Sequence, residues 1–277
     1  MIFSKWITLA GTLIFLNVLY SQENDQNSDL KVSAVAELGF ISVLDHRVQF
    51  GEEGTYFDYR KQGGQDVLFP VSRLSLEMEV KRSTFYLLYQ PLRLESQVYL
   101  QKDLVIDGAV FPAGSNVKLL YNFPFYRLSY TRELFPSNPR FDFALGASMQ
   151  IRNATISFES GDGSLFRTNR DIGIVPALKL KTTYNLNSLL FLEIEADGIY
   201  APVSYLNGSD NEVVGAILDA SGRIGAHLHS SVDGFLNLRY LGGGAVGSSD
   251  DVDGPGDGYV KNWLHTATVT AGFKFTF

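Results

Sequence analysis

The chain of 277 residues contains no cysteine. Disulfide bonds, thiolate metal sites and a cysteine nucleophile are therefore excluded. Histidine is scarce, at four residues, and basic side chains are outnumbered: 30 Asp and Glu against 23 Lys and Arg give a net charge of −7. Binding to phosphate backbones requires a basic surface, so the composition predicts no nucleic-acid partner.

Long apolar runs are almost absent, since one occurs at residues 6–20 and nothing comparable follows. Lys5 precedes this run and Ser21 ends it, before the polar residues 22–28. This order predicts a secretory signal peptide over residues 1–21, a polar segment over 22–28 and one folded unit over 29–277. The alternative is a retained membrane anchor, for which the run is short of the ~20 residues needed. The rest of the chain is then either a soluble exported protein or a β-barrel.

What the chain does have is aromatic residues and glycine, with 20 Phe, 14 Tyr and 26 Gly. This composition favours a sheet protein with glycine-rich turns. The last twelve residues alternate strictly between two faces, because successive side chains of a strand point in opposite directions. One face is wholly apolar, and its members are Ala267, Val269, Ala271, Phe273, Phe275 and Phe277. Such a length matches a tilted strand that crosses a membrane.

The terminal aromatic residues Phe273, Phe275 and Phe277 resemble the C-terminal signature of Gram-negative outer-membrane β-barrel proteins. The resemblance implies an outer-membrane location, contact with membrane lipid and lipopolysaccharide, and recognition of this strand by the barrel-assembly machinery. Tyr259 and Trp263 fall where the outer aromatic girdle of such a barrel would lie.

The same two-faced pattern recurs along the chain and predicts ten strands. They cover residues 30–44, 67–80, 85–89, 117–132, 141–158, 171–184, 188–200, 213–229, 235–241 and the C-terminal segment. Short connections follow the even-numbered strands and long ones the odd-numbered strands, as expected for periplasmic turns and outer loops. The predicted fold is an all-β, antiparallel, up-and-down transmembrane barrel. A hairpin within residues 94–116 would raise the count to twelve, and a soluble lipocalin-like barrel shares the same alternation.

The polar face of these strands carries both signs of charge and predicts a charge network in the lumen. Lys179 is expected directly opposite Glu193 across a turn at residues 185–187. A barrel of about this size is nearly filled by side chains, so a closed bore and a narrow polar path both stay open as interpretations. The predicted network consists of Lys179, Lys181, Glu193, Glu195, Asp219 and Arg223.

Two loops stand out. Residues 248–258 combine carboxylates with glycine, a composition suited to Ca²⁺, and the alternative is a solvated acidic loop. The candidate ligands are Asp250, Asp251, Asp253 and Asp257; no other cofactor is expected. The loop at residues 45–66 contains aromatic side chains such as Tyr56, Phe57 and Tyr59. They predict either a lid over the barrel or packing against neighbouring loops, as part of a structured outer cap.

The four histidines offer little chemistry. His227 and His229 would share a strand face, where two polar lumen residues are a simpler interpretation than a metal site. His46 is interpreted as a polar loop residue and His265 as lipid-facing. Motifs of lipid-deacylase and surface-protease barrels do not occur, so no enzyme is predicted. The favoured function is structural or ligand-binding through the outer loops; a narrow channel for polar solutes and a lipid- or surface-acting enzyme are the alternatives.

Overall fold

The computed structural model describes residues 30–136, 138, 140–202, 213–248 and 256–277, so the predicted signal peptide and polar segment lie outside the described residues. The strands are β1 (Leu30–Phe50), β2 (Phe57–Asp58), β3 (Leu68–Val80), β4 (Ser83–Gln90), β5 (Arg93–Tyr99), β6 (Leu104–Ile106), β7 (Ala109–Phe111), β8 (Asn116–Asn122), β9 (Phe125–Glu133), β10 (Phe141–Ser160), β11 (Phe166–Asn185), β12 (Leu190–Pro202), β13 (Val214–His229), β14 (Val232–Ser248) and β15 (Tyr259–Thr276). In these ranges no helix is long and apolar enough to cross a membrane.

Ten of the described strands form a closed antiparallel barrel. Neighbours follow the order β1, β3, β4, β9, β10, β11, β12, β13, β14 and β15, and β15 pairs back onto β1 from Thr276 to Val260. Consecutive barrel strands therefore lie side by side, which confirms the up-and-down topology and the count of ten. Full closure leaves no sheet edge where the ladders are complete, as membrane insertion requires.

The barrel is inside out relative to a soluble protein. On β1, Leu38 and Phe40 point outward and are 69% and 58% exposed, whereas Glu37 points into the lumen and is 2% exposed. The same polarity recurs on β3, where Leu74 faces outward and Arg73 is buried. A lipocalin-like barrel would bury the apolar face, so the soluble alternative is wrong, and the outer surface is that of a protein in lipid.

Aromatic and polar residues mark the limits of the membrane zone. Tyr89 and Tyr126 stack on the lipid face towards the outer end, with ring centroids 5.0 Å apart. Phe273 and Phe275 pack together at the periplasmic end, 6.2 Å apart. On β1 the outward residues become polar from Asp45 onward, so the outer part of this strand lies above the hydrocarbon.

The connections at the two ends differ as expected, with one exception. Tight turns join β3 to β4 and β13 to β14, whereas β1 and β4 lead into long outer segments. The connection after β10, predicted to be long, contains only residues 161–165, because β10 and β11 continue pairing until Glu159 meets Phe166. The prediction of a long loop there is wrong, since both strands extend beyond their apolar stretches.

The segment between β4 and β9 forms a cap over part of the barrel instead of two more spanning strands. β5 pairs with β8, β8 pairs with the outer end of β10, and β6 and β7 form a separate hairpin. The predicted strand at residues 117–132 is two strands, β8 and β9, interrupted at Pro124, whose missing N–H cannot continue the ladder. The twelve-strand alternative is therefore wrong.

A hydrophobic core holds this cap together. Side chains from β1, β2, β5 to β8 and the outer end of β10 interlock, and Phe111, Leu94 and Val117 are fully buried. Phe57 and Tyr59 belong to this core, so packing is the correct interpretation of the aromatic loop. Tyr56 instead stays 43% exposed beneath the Lys261 ammonium, which lies 4.5 Å from its ring centre.

Candidate functional site

Arg127 is the centre of the lumen network. It lies on the inner face of β9 and is 2% exposed. Its Nη1 lies 2.8 Å from Asp197 Oδ2 and 2.8 Å from Asp219 Oδ2, so one guanidinium joins β12 to β13. Nε and Nη2 donate to Gln150 Oε1 on β10, at 3.1 and 2.6 Å. Arg239 on β14 also pairs with Asp219. The fork geometry of arginine is suited to such multiple acceptors.

Two lysines of β11 continue the network towards the periplasm. Lys179 Nζ lies 2.6 Å from Glu195 Oε1 and 3.0 Å from Asp197 Oδ2. Lys181 Nζ lies 3.2 Å from Glu193 Oε2. Both ammonium groups also sit 5.1 Å from the ring centre of Tyr86, where the negative face of the ring adds attraction.

Arg223 links β13 to β12 and β1. Its Nη1 donates to Glu193 Oε1 at 2.6 Å and its Nη2 to Glu37 Oε1 at 2.8 Å. The Glu37 carboxylate also accepts from Asn237 and Thr270, both at 2.8 Å. These contacts therefore join β12 and β13 to β1, which lies three strands beyond β13 around the barrel.

The register across the β11–β12 turn differs from the prediction. Lys179 is opposite Asp197 and Lys181 is opposite Glu195, so the predicted Lys179–Glu193 pair is wrong. Asn187 causes the shift, because its Oδ1 accepts hydrogen bonds from the backbone N–H groups of Leu189 and Leu190, both at 2.8 Å. This side-chain turn moves the hairpin centre two residues towards the C-terminus.

Almost equal numbers of opposite charges face each other in this lumen. Among the described residues the buried carboxylates are Glu37, Glu77, Glu193, Glu195, Asp197 and Asp219. The cations that meet them are Arg73, Arg127, Lys179, Lys181, Arg223, Arg239 and the less buried Lys274. Charges removed from water in this way require such pairing and hydrogen bonding. The side chains occupy the bore at this level.

One open space in the described part of the lumen lies towards the periplasmic end. It is a cavity of about 170 Å³ between Glu77, Lys181, Glu193, Arg223 and Lys274. It ends at the network and does not continue into the cap. A solute entering from the periplasm would therefore meet paired charges.

His46 lies in the cap, above the membrane zone, and is not the polar loop residue that the sequence predicted. Its ring is fully buried, stacked on Tyr59 at 4.3 Å with an interplanar angle of 10°. Its Nδ1 donates to Gln65 Oε1 at 2.7 Å. Burial disfavours the imidazolium and lowers the pKa of His46 to about 4, against the opposing effects of Gln65 and Asp58.

Of the four proposed calcium ligands, Asp250, Asp251 and Asp253 lie outside the described residues. Asp257 already caps backbone groups, because its Oδ2 accepts from the N–H of Glu52 at 2.8 Å and its Oδ1 from the N–H of Tyr259 at 2.9 Å. These bonds lower the pKa of Asp257. Within the described ranges, no group of three or more His, Cys, Asp and Glu residues could hold a metal.

The remaining histidines each have a different hydrogen-bond partner. The strand register shifts at a β-bulge between His227 and His229, so the regular alternation that predicted a shared face does not hold there. His227 Nδ1 lies 2.7 Å from Asp233 Oδ1 near the periplasmic turn. His265 Nδ1 contacts the Tyr240 hydroxyl at 2.6 Å on the outward side of β15.

The structure places all six predicted network residues in the lumen and in contact with opposite charges. The alternation of side chains along the strands predicted these charged residues, but their uncharged hydrogen-bond partners were not predicted. Gln150, Ser148 and Asn237 add hydrogen bonds to Arg127, Asp197 and Glu37, and inward parity on β10 and β14 was the signal for them. Phe273, Phe275 and Phe277 lie at the periplasmic end of β15, and their role in assembly stays a prediction.

A closed antiparallel barrel with an apolar exterior, a charged lumen, short periplasmic turns and long outer segments defines the chain as an outer-membrane β-barrel protein. No protein-family model and no curated protein matches it. Among solved structures it is similar to the outer membrane protease OmpT of Escherichia coli, at 11% identity and a TM-score of 0.47, covering 89% of this chain and 97% of that one. It is also similar to a FadL homologue of Pseudomonas aeruginosa, at 8% identity and a TM-score of 0.39, covering 90% of each chain. A third similar structure is the transport unit of the autotransporter AIDA-I of Escherichia coli, at 8% identity and a TM-score of 0.38, covering 92% of this chain and 93% of that one.

Proposed function

We propose that the chain is a non-conducting, non-enzymatic outer-membrane barrel that presents its folded outer cap as a binding surface. The observation that carries the proposal is the double occlusion of the bore. Paired charges centred on Arg127 fill the membrane zone, and a separate hydrophobic core fills the part of the outer end beneath the cap.

The network argues against the channel alternative. Arg127, Asp197 and Asp219 are each 3% exposed or less, so an ion passing between them would have to replace several buried contacts at once. Removing one partner of a buried ion pair costs about 3–5 kcal/mol. An open path through this point would therefore require displacement of paired side chains on four strands, β9, β12, β13 and β14.

The cap has the properties of a presented surface. Its interior is sealed, which fixes the backbone, while Tyr99 and Val110 are 68% and 48% exposed on its outside. A fixed shape with exposed aromatic and apolar groups is what recognition surfaces on rigid scaffolds need.

Single-channel recording on the refolded full chain in planar bilayers tests the closed bore. We expect no openings above the leak of the lipid alone. The double variant Arg127→Ala with Asp219→Ala, which shortens the central side chains while preserving charge balance, is the positive comparison and should show brief openings. Stable openings of the unaltered chain in symmetric salt would contradict the proposal.

A further inference from the structure

A second, small cavity lies in the membrane zone of the lumen. It has a volume of about 10 Å³ and is lined by side chains of β1, β3, β4, β14 and β15. Its eight lining residues are all buried, and none is more than 7% exposed. On the outer face of the same strands, Leu38, Leu74 and Leu238 are 69%, 52% and 62% exposed, so the cavity lies at membrane depth. The lining residues with polar side chains that matter here are Glu37, Arg73, Gln90, Asn237, Arg239 and Thr268.

Described residues border this cavity towards both ends of the barrel. Val71, which lines it, belongs to the hydrophobic core beneath the cap. Glu37, which also lines it, is bound to Arg223 of the charge network. The cavity shares no lining residue with the larger periplasmic cavity. The wall is continuous here, because Glu37 is opposite both Arg73 and Gly272 in the ladders of β1.

Two buried guanidinium groups line the cavity and have N–H groups to donate. Arg73 and Arg239 are 6% and 4% exposed. Each makes an ion pair through Nη2, but Nε and Nη1 of both have no hydrogen-bond partner among the described residues. Since Nε carries one hydrogen and Nη1 two, the two side chains offer six N–H donors without an acceptor. Buried donors are costly unless an acceptor is supplied.

The carboxylates that pair with these two arginines are each shared with a second cation. That cation is 2.8 Å from the carboxylate in one case and 2.6 Å in the other, whereas Nη2 of Arg73 is 3.5 Å away. Six buried carboxylates of the described lumen are met by seven cations, so positive charge is in excess, which is costly away from water. The two shared sets are Asp219 with Arg239 and Arg127, and Glu195 with Arg73 and Lys179.

We propose that the small cavity binds a monatomic, monovalent anion such as chloride between Arg73 and Arg239. One anion accepts N–H bonds from both guanidinium groups and balances the excess charge, and hydrogen bonds between charged groups are strong. A volume of about 10 Å³ suits a particle of about the size of a water molecule or a monatomic ion, and excludes phosphate and organic acids. The ion is a structural part of the network, and its site is independent of what the cap binds.

Water is the other particle of this size, and the balance of donors and acceptors favours the anion. Against the six N–H donors, the buried acceptors without a partner on the cavity wall are Asn237 Oδ1 and Gln90 Oε1. Asn237 keeps this orientation because its Nδ2 donates to Glu37, whereas the Gln90 amide can rotate to present its NH₂ group. A water molecule accepts only two N–H bonds and leaves the charge excess unchanged.

Anomalous diffraction from crystals of the full chain grown in sodium bromide tests the site directly. Bromide is a monovalent anion slightly larger than chloride, and its own anomalous scattering locates it. We expect a peak within hydrogen-bond distance of guanidinium nitrogens of both Arg73 and Arg239. Bromide peaks confined to the protein surface would overturn the proposal, because the cavity would then hold water.

Unfolding in two sodium salts tests whether the ion stabilises the fold. The chain is refolded into lipid vesicles without halide and unfolded with urea, while sodium chloride replaces sodium gluconate at constant ionic strength. Gluconate is too large for the cavity. We expect the equilibrium constant for unfolding to fall as for binding at one site, by about a hundredfold when chloride exceeds its dissociation constant about a hundredfold. Identical urea midpoints in the two salts would contradict a bound chloride.

Gln90→Glu tests the charge balance, because it puts a carboxylate of the same size on the cavity wall. We expect this variant to lose the bromide peak and the dependence on chloride, since its own carboxylate replaces the ion. Gln97→Glu, on the exposed side of the cap, is the matched control and should keep both.

Arg73→Gln provides a second variant if Gln90→Glu does not fold. It removes one of the two guanidinium groups and should also lose the bromide peak, while heat-modifiable migration on gels shows which variants are folded. A bromide peak that stays in the cavity of folded Gln90→Glu or folded Arg73→Gln would overturn the assignment.

Discussion

Replacing Arg127 by methionine should strongly destabilise the barrel. Methionine has similar length and no charge, so the change removes the contacts to Asp197 and Asp219 and the two hydrogen bonds to Gln150 while leaving the volume almost filled. Both carboxylates stay buried, at 1% and 3% exposure. Lys179 still pairs with Asp197, and Arg239 with Asp219, so neither anion is left alone.

Removing one partner of a buried pair costs about 3–5 kcal/mol. Because Lys179 and Arg239 still pair with the two carboxylates, we expect a loss at the lower end of this range, about 3 kcal/mol in the free energy of unfolding. Arg93→Met is the matched control, because Arg93 pairs with Glu95 on the cap with both side chains more than half exposed. Exposed pairs contribute less than about 1 kcal/mol.

Urea unfolding in lipid vesicles measures both variants, with Trp263 fluorescence and heat-modifiable migration as two readouts. Asp219→Asn should cost less in the Arg127→Met background than in the unaltered chain, because the contact between Arg127 and Asp219 is already lost there. Equal urea midpoints for Arg127→Met and Arg93→Met would refute the reasoning, because the network would then contribute no more than a surface pair.

Three other outcomes are expected. Since burial lowers the pKa of His46 to about 4 from 6.5, the unfolded chain binds this proton first. The His46 contribution is therefore complete above about pH 6.5 and is lost as the pH falls towards 4, by up to about 3 kcal/mol. Cap proteolysis as a function of pH should show this loss, with a flatter profile in His46→Gln and an unchanged one in His265→Gln. Phe277→Ser should reduce the heat-modifiable fraction in a Gram-negative host, as expected if the terminal strand directs assembly, whereas equal yield would count against that role. Chelation should leave the melting temperature unchanged, because Asp257 is already engaged by two backbone N–H groups; a lower melting temperature restored by Ca²⁺ would reinstate a structural ion.

Much of the barrel followed from side-chain parity. Strict alternation identifies lipid-facing and lumen-facing residues wherever one face is apolar, so Leu38 and Glu37 were assigned to opposite faces correctly. Parity also put Lys181 and Arg223 inside. It says nothing about register, which depends on the turn. The Asn187 side chain fixes the β11–β12 turn, and a three-residue turn misplaces every pair along the two strands.

The outer half was harder to predict, because its strands no longer alternate between lipid and lumen. Above Leu44 the strands of the wall meet the cap, and inward residues such as Val48 and Phe50 become part of a core built from distant segments. His46 was misjudged for this reason, since a histidine among polar neighbours gives no sign of burial by Tyr59 and Tyr121.

The chain is a barrel embedded in lipid with its apolar face outward, and every other inference about it depends on this orientation. Membrane fractionation with carbonate washing, followed by gel migration of heated and unheated samples, tests it most directly. We expect the protein to stay in the membrane pellet and the unheated form to migrate differently from the heated form. Release by carbonate, with identical migration before and after heating, would contradict the membrane-embedded barrel.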